Sequence, residues 1–304
     1  MKSMMNSILI IFYTLTVFVS KAHCQENDKG HSFKLSDINY EIVGSGTPIL
    51  MIHGMGVDHR VMKNSFEPIF KKHPNGWRRI YVDLPGMGKT PANEWIKNSD
   101  DMVTFLSMFI EKVIPNEDFI IASYSYGGYL ARGLISKKKK ETKGAIFICP
   151  LIITEYEKRE VPQKIFYVKD SINDVYIDQQ TKLLLDLFLV HQNPTTVKRF
   201  NDDILSGYNI GNRVFIDKIR NDPNKYKFSK SLVKEFTIFE KPTLFITAKQ
   251  DILVGFSDAK NILNFFPNNT YVLIDSAGHA VQIDKQIVFE YSVKNYLNKV
   301  KNNR

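Results

Sequence analysis

The chain has 304 residues, 43% hydrophobic and 24% charged, enough to bury a sizeable core in one large or two small domains. Much of its formal charge of +9 sits in local clusters such as Lys137 to Lys140, Arg78-Arg79 and the tail residues Lys299, Lys301 and Arg304. No aromatic-interleaved basic strand or nucleic-acid module accompanies them, so the clusters read as solvated surface and nucleic acid is not an expected partner.

The amino-terminal residues have a different texture. Lys2 supplies a weakly positive start and residues 8–19 form an apolar run. Ser20-Lys21-Ala22 or Ala22-His23-Cys24 then offers small residues for a cleavage site. The run is shorter than the roughly 18 residues a membrane-spanning helix needs. The expectation is a signal peptide over 1–24 and an exported chain, periplasmic or secreted, with no stable membrane insertion once mature. The alternatives are an uncleaved membrane anchor or a lipid on Cys24, although His23 stands where lipidation signals carry a small residue. Cys149 is the only other cysteine, so no intrachain disulfide is expected in the mature chain. Its apolar surroundings mark it as a buried small hydrophobe rather than a reactive thiol.

After a polar lead-in over 25–31, Phe33-Lys34-Leu35 and residues 38–43 alternate with period two across Ser36-Asp37. This predicts a hairpin of two half-exposed strands. Pro48-Ile49-Leu50-Met51-Ile52 is continuously apolar, as a strand buried on both faces should be, and stops at His53-Gly54-Met55-Gly56. Residues 61–70 read as a helix, 77–82 as a strand and 102–113 as an amphipathic helix. Next, Phe119-Ile120-Ile121-Ala122-Ser123-Tyr124-Ser125-Tyr126-Gly127-Gly128 runs a strand sharply into a helix with Ser125 at the corner. The Lys137 to Lys140 cluster falls at the carboxyl end of that helix, where the dipole favours cations.

A strand over 145–149 closes the first run of alternating elements. From 151 to 236 helical segments follow one another, over 171–190, 195–205 and 211–220, punctuated by Asn193-Pro194, Ser206-Gly207 and Asp222-Pro223. Alternation resumes with strands over 241–248 and 271–274, a helix over 257–266 and a closing helix over 287–297.

A serine hydroxyl attacks at neutral pH only with a histidine to take its proton and an acid to hold that histidine in one tautomer. It also needs N–H donors for the developing oxyanion. Ser125, Asp251 and His279 fall on loops after successive strands, with donors available at His53-Gly54-Met55. Asp275 and Asp258 are rival acids, but the first ends a strand four residues before His279 and the second falls in the following helix. His53 and His59 have no third ligand spaced with them, so no metal is expected.

These motifs resemble the α/β-hydrolase family over nearly the whole mature chain. His53-Gly54-Met55-Gly56 is similar to its oxyanion loop, and Asp83-Leu84-Pro85-Gly86-Met87-Gly88 to the turn after its fourth strand. Ser123-Tyr124-Ser125-Tyr126-Gly127-Gly128 is similar to its G-x-S-x-G elbow, with Ser123 where the family usually has Gly. Ala248-Lys249-Gln250-Asp251 resembles its acid loop and Ala277-Gly278-His279 its histidine loop.

The resemblance implies an α/β fold with a mostly parallel eight-stranded sheet flanked by helices. The core would span 33–150 and 237–304, with 151–236 as a helical cap. It further implies Ser125 as nucleophile, His279 as general base then acid, Asp251 as orienting acid, and the N–H groups of Met55 and Tyr126 as oxyanion donors. The implied reaction is hydrolysis of a carboxylic ester, a small-molecule acyl substrate, with no cofactor, and Leu184, Leu187, Phe188 and Phe215 would offer an apolar wall. Two alternatives stand beside it. One is an aminopeptidase of the proline-iminopeptidase type, using cap acids such as Asp174, Asp178, Asp186, Asp202 and Asp203. The other is a non-catalytic small-molecule-binding homologue.

Overall fold

The most apolar runs of the chain end up buried on both faces at the centre of one sheet. The computed structural model describes residues 31–73, 76–163, 166–170 and 177–302, so the expected signal segment lies outside the described residues. Five strands come first: β1 (Tyr40–Val43), β2 (Thr47–Ile52), β3 (Trp77–Val82), β4 (Phe119–Tyr124) and β5 (Thr142–Ile148). A short parallel ribbon, β6 (Val168–Lys169) and β7 (His191–Gln192), lies in the next segment. The strands β8 (Thr243–Ala248) and β9 (Asn269–Ile274) complete the main sheet.

Among the described residues that sheet has seven strands, in the order β1-β3-β2-β4-β5-β8-β9. Only β1 runs antiparallel, pairing Tyr40 with Val82. The eighth strand, expected at Phe33-Lys34-Leu35, is absent: Leu35–Asp37 is a single 3-10 turn. Three residues of alternation are too few to fix a strand, and Phe33 instead lays its ring on Phe105 with centroids 4.9 Å apart.

The strand order contains the feature that positions the site. From β2 the chain crosses to β3 on one side and then returns to β4 on the other side of β2. Loops leaving the carboxyl ends of β2 and β4 therefore diverge and open a crevice at this reversal. Helices α1 (Arg60–Lys72), α2 (Ser99–Val113) and α3 (Tyr126–Lys137) cover the sheet. Beyond α3, the Lys138 ammonium reaches Glu111 at 2.5 Å and the Lys139 ammonium the Thr237 hydroxyl at 2.9 Å. The basic cluster is thus used locally, as a solvated surface would be.

Between β5 and β8 the regular structure among the described residues is mostly helical. Gln179–Phe188 is capped by Asp178, whose carboxylate accepts from the Gln180 and Thr181 N–H groups. Pro194–Phe200 starts on an Asn193 capping box and passes through one π turn, Asn201–Leu205, into Ser206–Ile210. Ser206-Gly207 therefore does not break the helix, contrary to the sequence expectation. Gly207 is there for closeness: a Cβ on it would lie 2.7 Å from the Asp58 backbone nitrogen. Arg199 pairs with buried Asp203 at 2.8 Å and reaches the Ser65 hydroxyl, tying this helix to α1. No helix among the described residues is long and apolar enough to cross a membrane.

One ionic cluster fastens the edge of the sheet to the crevice. His59 donates through Nδ1 to Asp83 at 2.7 Å and through Nε2 to Glu41 at 2.9 Å, so its bonds are those of an imidazolium. Burial pulls its pKa down, but the two carboxylates outweigh burial and hold it above the ordinary value. Burial also pushes Asp83 up, yet its bonds and the neighbouring histidines hold it down at about 2. A raised histidine contributes stability that is complete below its unfolded value of about 6.5 and is lost as pH rises through the folded value. Asp83 stays ionised throughout that window. His59→Gln should therefore lower the thermal midpoint more at pH 6 than at pH 9. Calorimetric melts at the two pH values check this, and equal losses would contradict it.

Candidate active site

Ser125 occupies the corner between β4 and α3 at φ 55, ψ −119, a conformation rare for any residue with a side chain. Its N–H donates to the Ile148 carbonyl at 3.0 Å, and its carbonyl accepts from the N–H groups of Gly128 and Leu151, both at 2.9 Å. These bonds lock the corner and project the hydroxyl out of the sheet. The turn leaves no room behind it, for a Cβ on Gly127 would lie 2.5 Å from the carbonyl oxygens of Ile52 and His53.

The hydroxyl faces His279, whose Nε2 lies 2.9 Å from Ser125 Oγ. On the other side of the ring, Nδ1 lies 2.8 Å from Asp251 Oδ2. The second carboxylate oxygen accepts from the Leu253 and Val254 N–H groups at 3.0 Å each, so the acid is fixed before it meets the imidazole. An Nδ1–H pointing at the carboxylate leaves Nε2 as the acceptor for the serine proton. Asp251 and His279 are buried, and the Tyr124 and Phe188 rings flank the imidazole at 5.0 and 5.5 Å. The rival acids lie elsewhere: Asp275 pairs with Lys249 at 2.9 Å, and Asp258 accepts from the Glu160 N–H.

Across the crevice, the loop after β2 abuts the serine. The position of a Cβ on Gly54 is 3.0 Å from Ser125 Cβ, so glycine permits the loop's close approach to the serine, and Met55 lines the same cavity as Ser125. The Tyr126 N–H opens α3 and belongs to the first-turn donors that a helix cannot satisfy internally. His53 is buried and holds the loop, donating through Nδ1 to the Gly54 carbonyl at 2.7 Å and accepting at Nε2 from the Leu84 N–H at 2.9 Å. Burial lowers its pKa, and the neutral form is the one this bonding requires.

A profile of the alpha/beta hydrolase fold matches residues 47–286. The chain belongs to that family. Its relatives include a pimeloyl-[acyl-carrier protein] methyl ester esterase from Legionella pneumophila (strain Paris), 23% identical over 245 residues, covering 80% of this chain and 92% of that protein. Among solved structures, an alpha/beta superfamily hydrolase from Oenococcus oeni PSU-1 is 28% identical with a TM-score of 0.79, covering 89% of this chain and 98% of that one. An esterase from Exiguobacterium antarcticum shares the fold at TM-score 0.67 and 16% identity, over 86% of this chain and 95% of that one.

This α/β hydrolase departs from its family at Ser123, and the side chain stays clear of the site. The hydroxyl turns into the sheet and donates to the Ile146 carbonyl at 2.9 Å. Ser123→Ala should cost about 1 kcal/mol of stability, the net worth of one such bond, while turnover stays within about twofold of wild type. Urea melts and steady-state rates test both halves.

Among the described residues, two side-chain clusters bring three ligand-type groups together. Asp58, His59 and Asp83 converge, as do Cys149, Asp251 and His279. In the first, both His59 nitrogens already meet carboxylates and Asp58 is held by Arg60 at 2.5 Å. In the second, the His279 imidazole is engaged by Asp251 and Ser125. Cys149 is fully buried at φ 39, and burial pushes its thiol well above the ordinary range, in keeping with an unreactive group. Its place beside the acid was not legible in the sequence.

Above Ser125 and His279 lies a cavity of about 590 Å³, within the range of small-molecule sites. Leu184, Leu187 and Phe188 line it as expected. Phe215 does not; its ring packs onto Gly86. The four described acids among those expected for an amine site are not in the wall either. Asp178 caps its helix, while Asp186, Asp202 and Asp203 pair with Lys182, Lys198 and Arg199; Asp174 lies outside the described residues. The acids that do line the cavity are Glu155 and Glu157, just beyond β5. Sequence offered no signal for them beyond their place at the start of the insert.

Proposed function

We propose that the protein is a serine hydrolase that cleaves carboxylic esters through an acyl-enzyme. The observation that carries this reading is the unbroken line of hydrogen bonds from Ser125 through His279 to Asp251 at a strained elbow, open to a cavity of substrate size. Esterases among the relatives support the choice of bond.

Ser125 Oγ attacks the ester carbonyl carbon while His279 Nε2 takes its proton. The negative charge formed on the carbonyl oxygen is held by the N–H groups of Met55 and Tyr126. The carbon–oxygen bond to the alcohol breaks as His279 returns the proton to the departing oxygen. Water then repeats the sequence on the acyl-enzyme, releasing the acid and restoring the serine. Asp251 keeps the imidazole in its working tautomer and balances its transient charge.

A panel of acyl-graded esters and aminoacyl arylamides, assayed with purified protein, tests the reading. Turnover of arylamides but not esters would replace it with the peptidase alternative. Failure of a fluorophosphonate probe to label Ser125 in folded protein would favour the binding homologue. We also propose that residues 1–24 direct export. Amino-terminal sequencing of the mature chain checks this, and a chain recovered with Met1 intact from the cytoplasm would overturn it.

A further inference from the structure

The cavity wall carries three guanidinium groups outside any ion pair among the described residues. Arg213 and Arg220 are seven residues apart on the helix Arg213–Arg220, two turns along one face, and both line the cavity. Arg159 lines it from the segment after β5.

Their surroundings differ. Arg159 donates to the carbonyls of Ile153, Thr154 and Leu253, which fixes its guanidinium without cancelling its charge. Arg213 lies over the Tyr208 ring and donates to the Gly56 carbonyl at 3.1 Å, next to the loop that carries Met55. Burial lowers its pKa, outweighing the opposing pull of Tyr208 and Asp217. Arg220 is exposed and makes no hydrogen bond among the described residues.

Tyr226 gives this part of the wall its geometry. The side chain is only 8% exposed and lines the cavity together with Arg159 and Arg220. Its ring lies 5.4 Å from that of Tyr126, and the Ser99 hydroxyl joins the Tyr126 hydroxyl at 2.8 Å to the Tyr226 carbonyl at 2.6 Å. This part of the wall is thereby braced against the elbow itself. The two acids of the wall do not neutralise it: Glu155 is engaged by Thr154 and Lys158, and Glu157 is exposed and unpaired among the described residues.

We propose that the cavity accepts an ester whose acyl or alcohol part carries a second, anionic oxygen group, a carboxylate or a phosphate, bound by Arg220 and Tyr226 with Arg159 behind them. This rests on the ester-hydrolase reading for the reaction but not for the binding. Guanidinium groups suit either anion because their paired N–H donors match both geometries.

The test has a turnover arm and a binding arm. In the first, p-nitrophenyl esters of equal acyl length are compared, ending in methyl, carboxylate or phosphate. An anionic ester should exceed the neutral one at least tenfold in kcat/KM, and Arg220→Gln or Tyr226→Phe should cut that ratio about tenfold through KM. Whichever anion is preferred identifies the natural headgroup chemistry. In the second, the same esters are titrated calorimetrically into Ser125→Ala protein and into Ser125→Ala/Arg220→Gln protein. Anionic esters should bind at least tenfold tighter than the neutral one, and the double variant should lose the difference. Equal affinity for all three esters, or a difference unchanged in the double variant, overturns the proposal whether or not any ester is hydrolysed. Hydrolysis without anion preference would leave the esterase reading standing alone.

Discussion

Ser125→Ala should reduce kcat on any ester the enzyme turns over by about 10⁴-fold or more, some 5.5 kcal/mol or more of lost transition-state stabilisation. On the proposed mechanism the change removes the attacking oxygen and nothing else of consequence. Alanine keeps a Cβ, so the strained corner at φ 55 is neither relieved nor worsened, and the backbone bonds to Ile148, Gly128 and Leu151 do not involve the hydroxyl. The melting temperature should hold to within a few degrees. Pre-steady-state mixing supplies a second signature: a burst of released alcohol in the wild type, absent from the variant. A loss of only a few-fold would mean that another nucleophile, or water activated directly by His279, carries the reaction.

Asp251→Asn should be nearly as damaging, about 10⁴-fold in kcat, with the fold intact. The amide oxygen would keep the Leu253 and Val254 N–H donors that now reach Oδ1. The amide nitrogen would then face His279 Nδ1 and force it to accept. The ring proton would move to Nε2, pointing at the Ser125 hydroxyl whose proton the proposed mechanism has it accept. Steady-state rates with circular dichroism as a folding control measure the effect. A loss under about tenfold would show that the orienting acid is some other group.

How much of this was open to reading in the sequence depended on the kind of constraint. The central strands were legible because burial on both faces demands continuous apolar runs, and residues 48–52 and 119–122 satisfy that plainly. Ser125, Asp251 and His279 could be nominated because a chain that winds back and forth delivers successive loops to one edge of the sheet. Phe33-Lys34-Leu35 failed as a strand because local alternation is weak when an aromatic ring has a better partner in Phe105. Gly207 was misread because a glycine demanded by a neighbour's approach looks the same as one that ends a helix. The cavity wall was the least legible part. Which face of each helix turns toward Ser125 depends on packing between distant segments, so Phe215 was assigned to the wall and Glu155, Arg159 and Arg220 were not.

The bond from the Leu151 N–H to the Ser125 carbonyl has a practical consequence for anyone exchanging the segment between β5 and β8 among such enzymes. A corner residue in so unfavourable a conformation costs of order 1–3 kcal/mol and persists only while its neighbours restrain it. Leu151 is one of those restraints, and it is also the first residue past the turn that leaves β5. A chimaera joined before Leu151 would import a foreign brace for Ser125 along with the new pocket. One joined a few residues later would keep the native brace and change the pocket alone. The useful splice point is set by the elbow, not by where the helices begin.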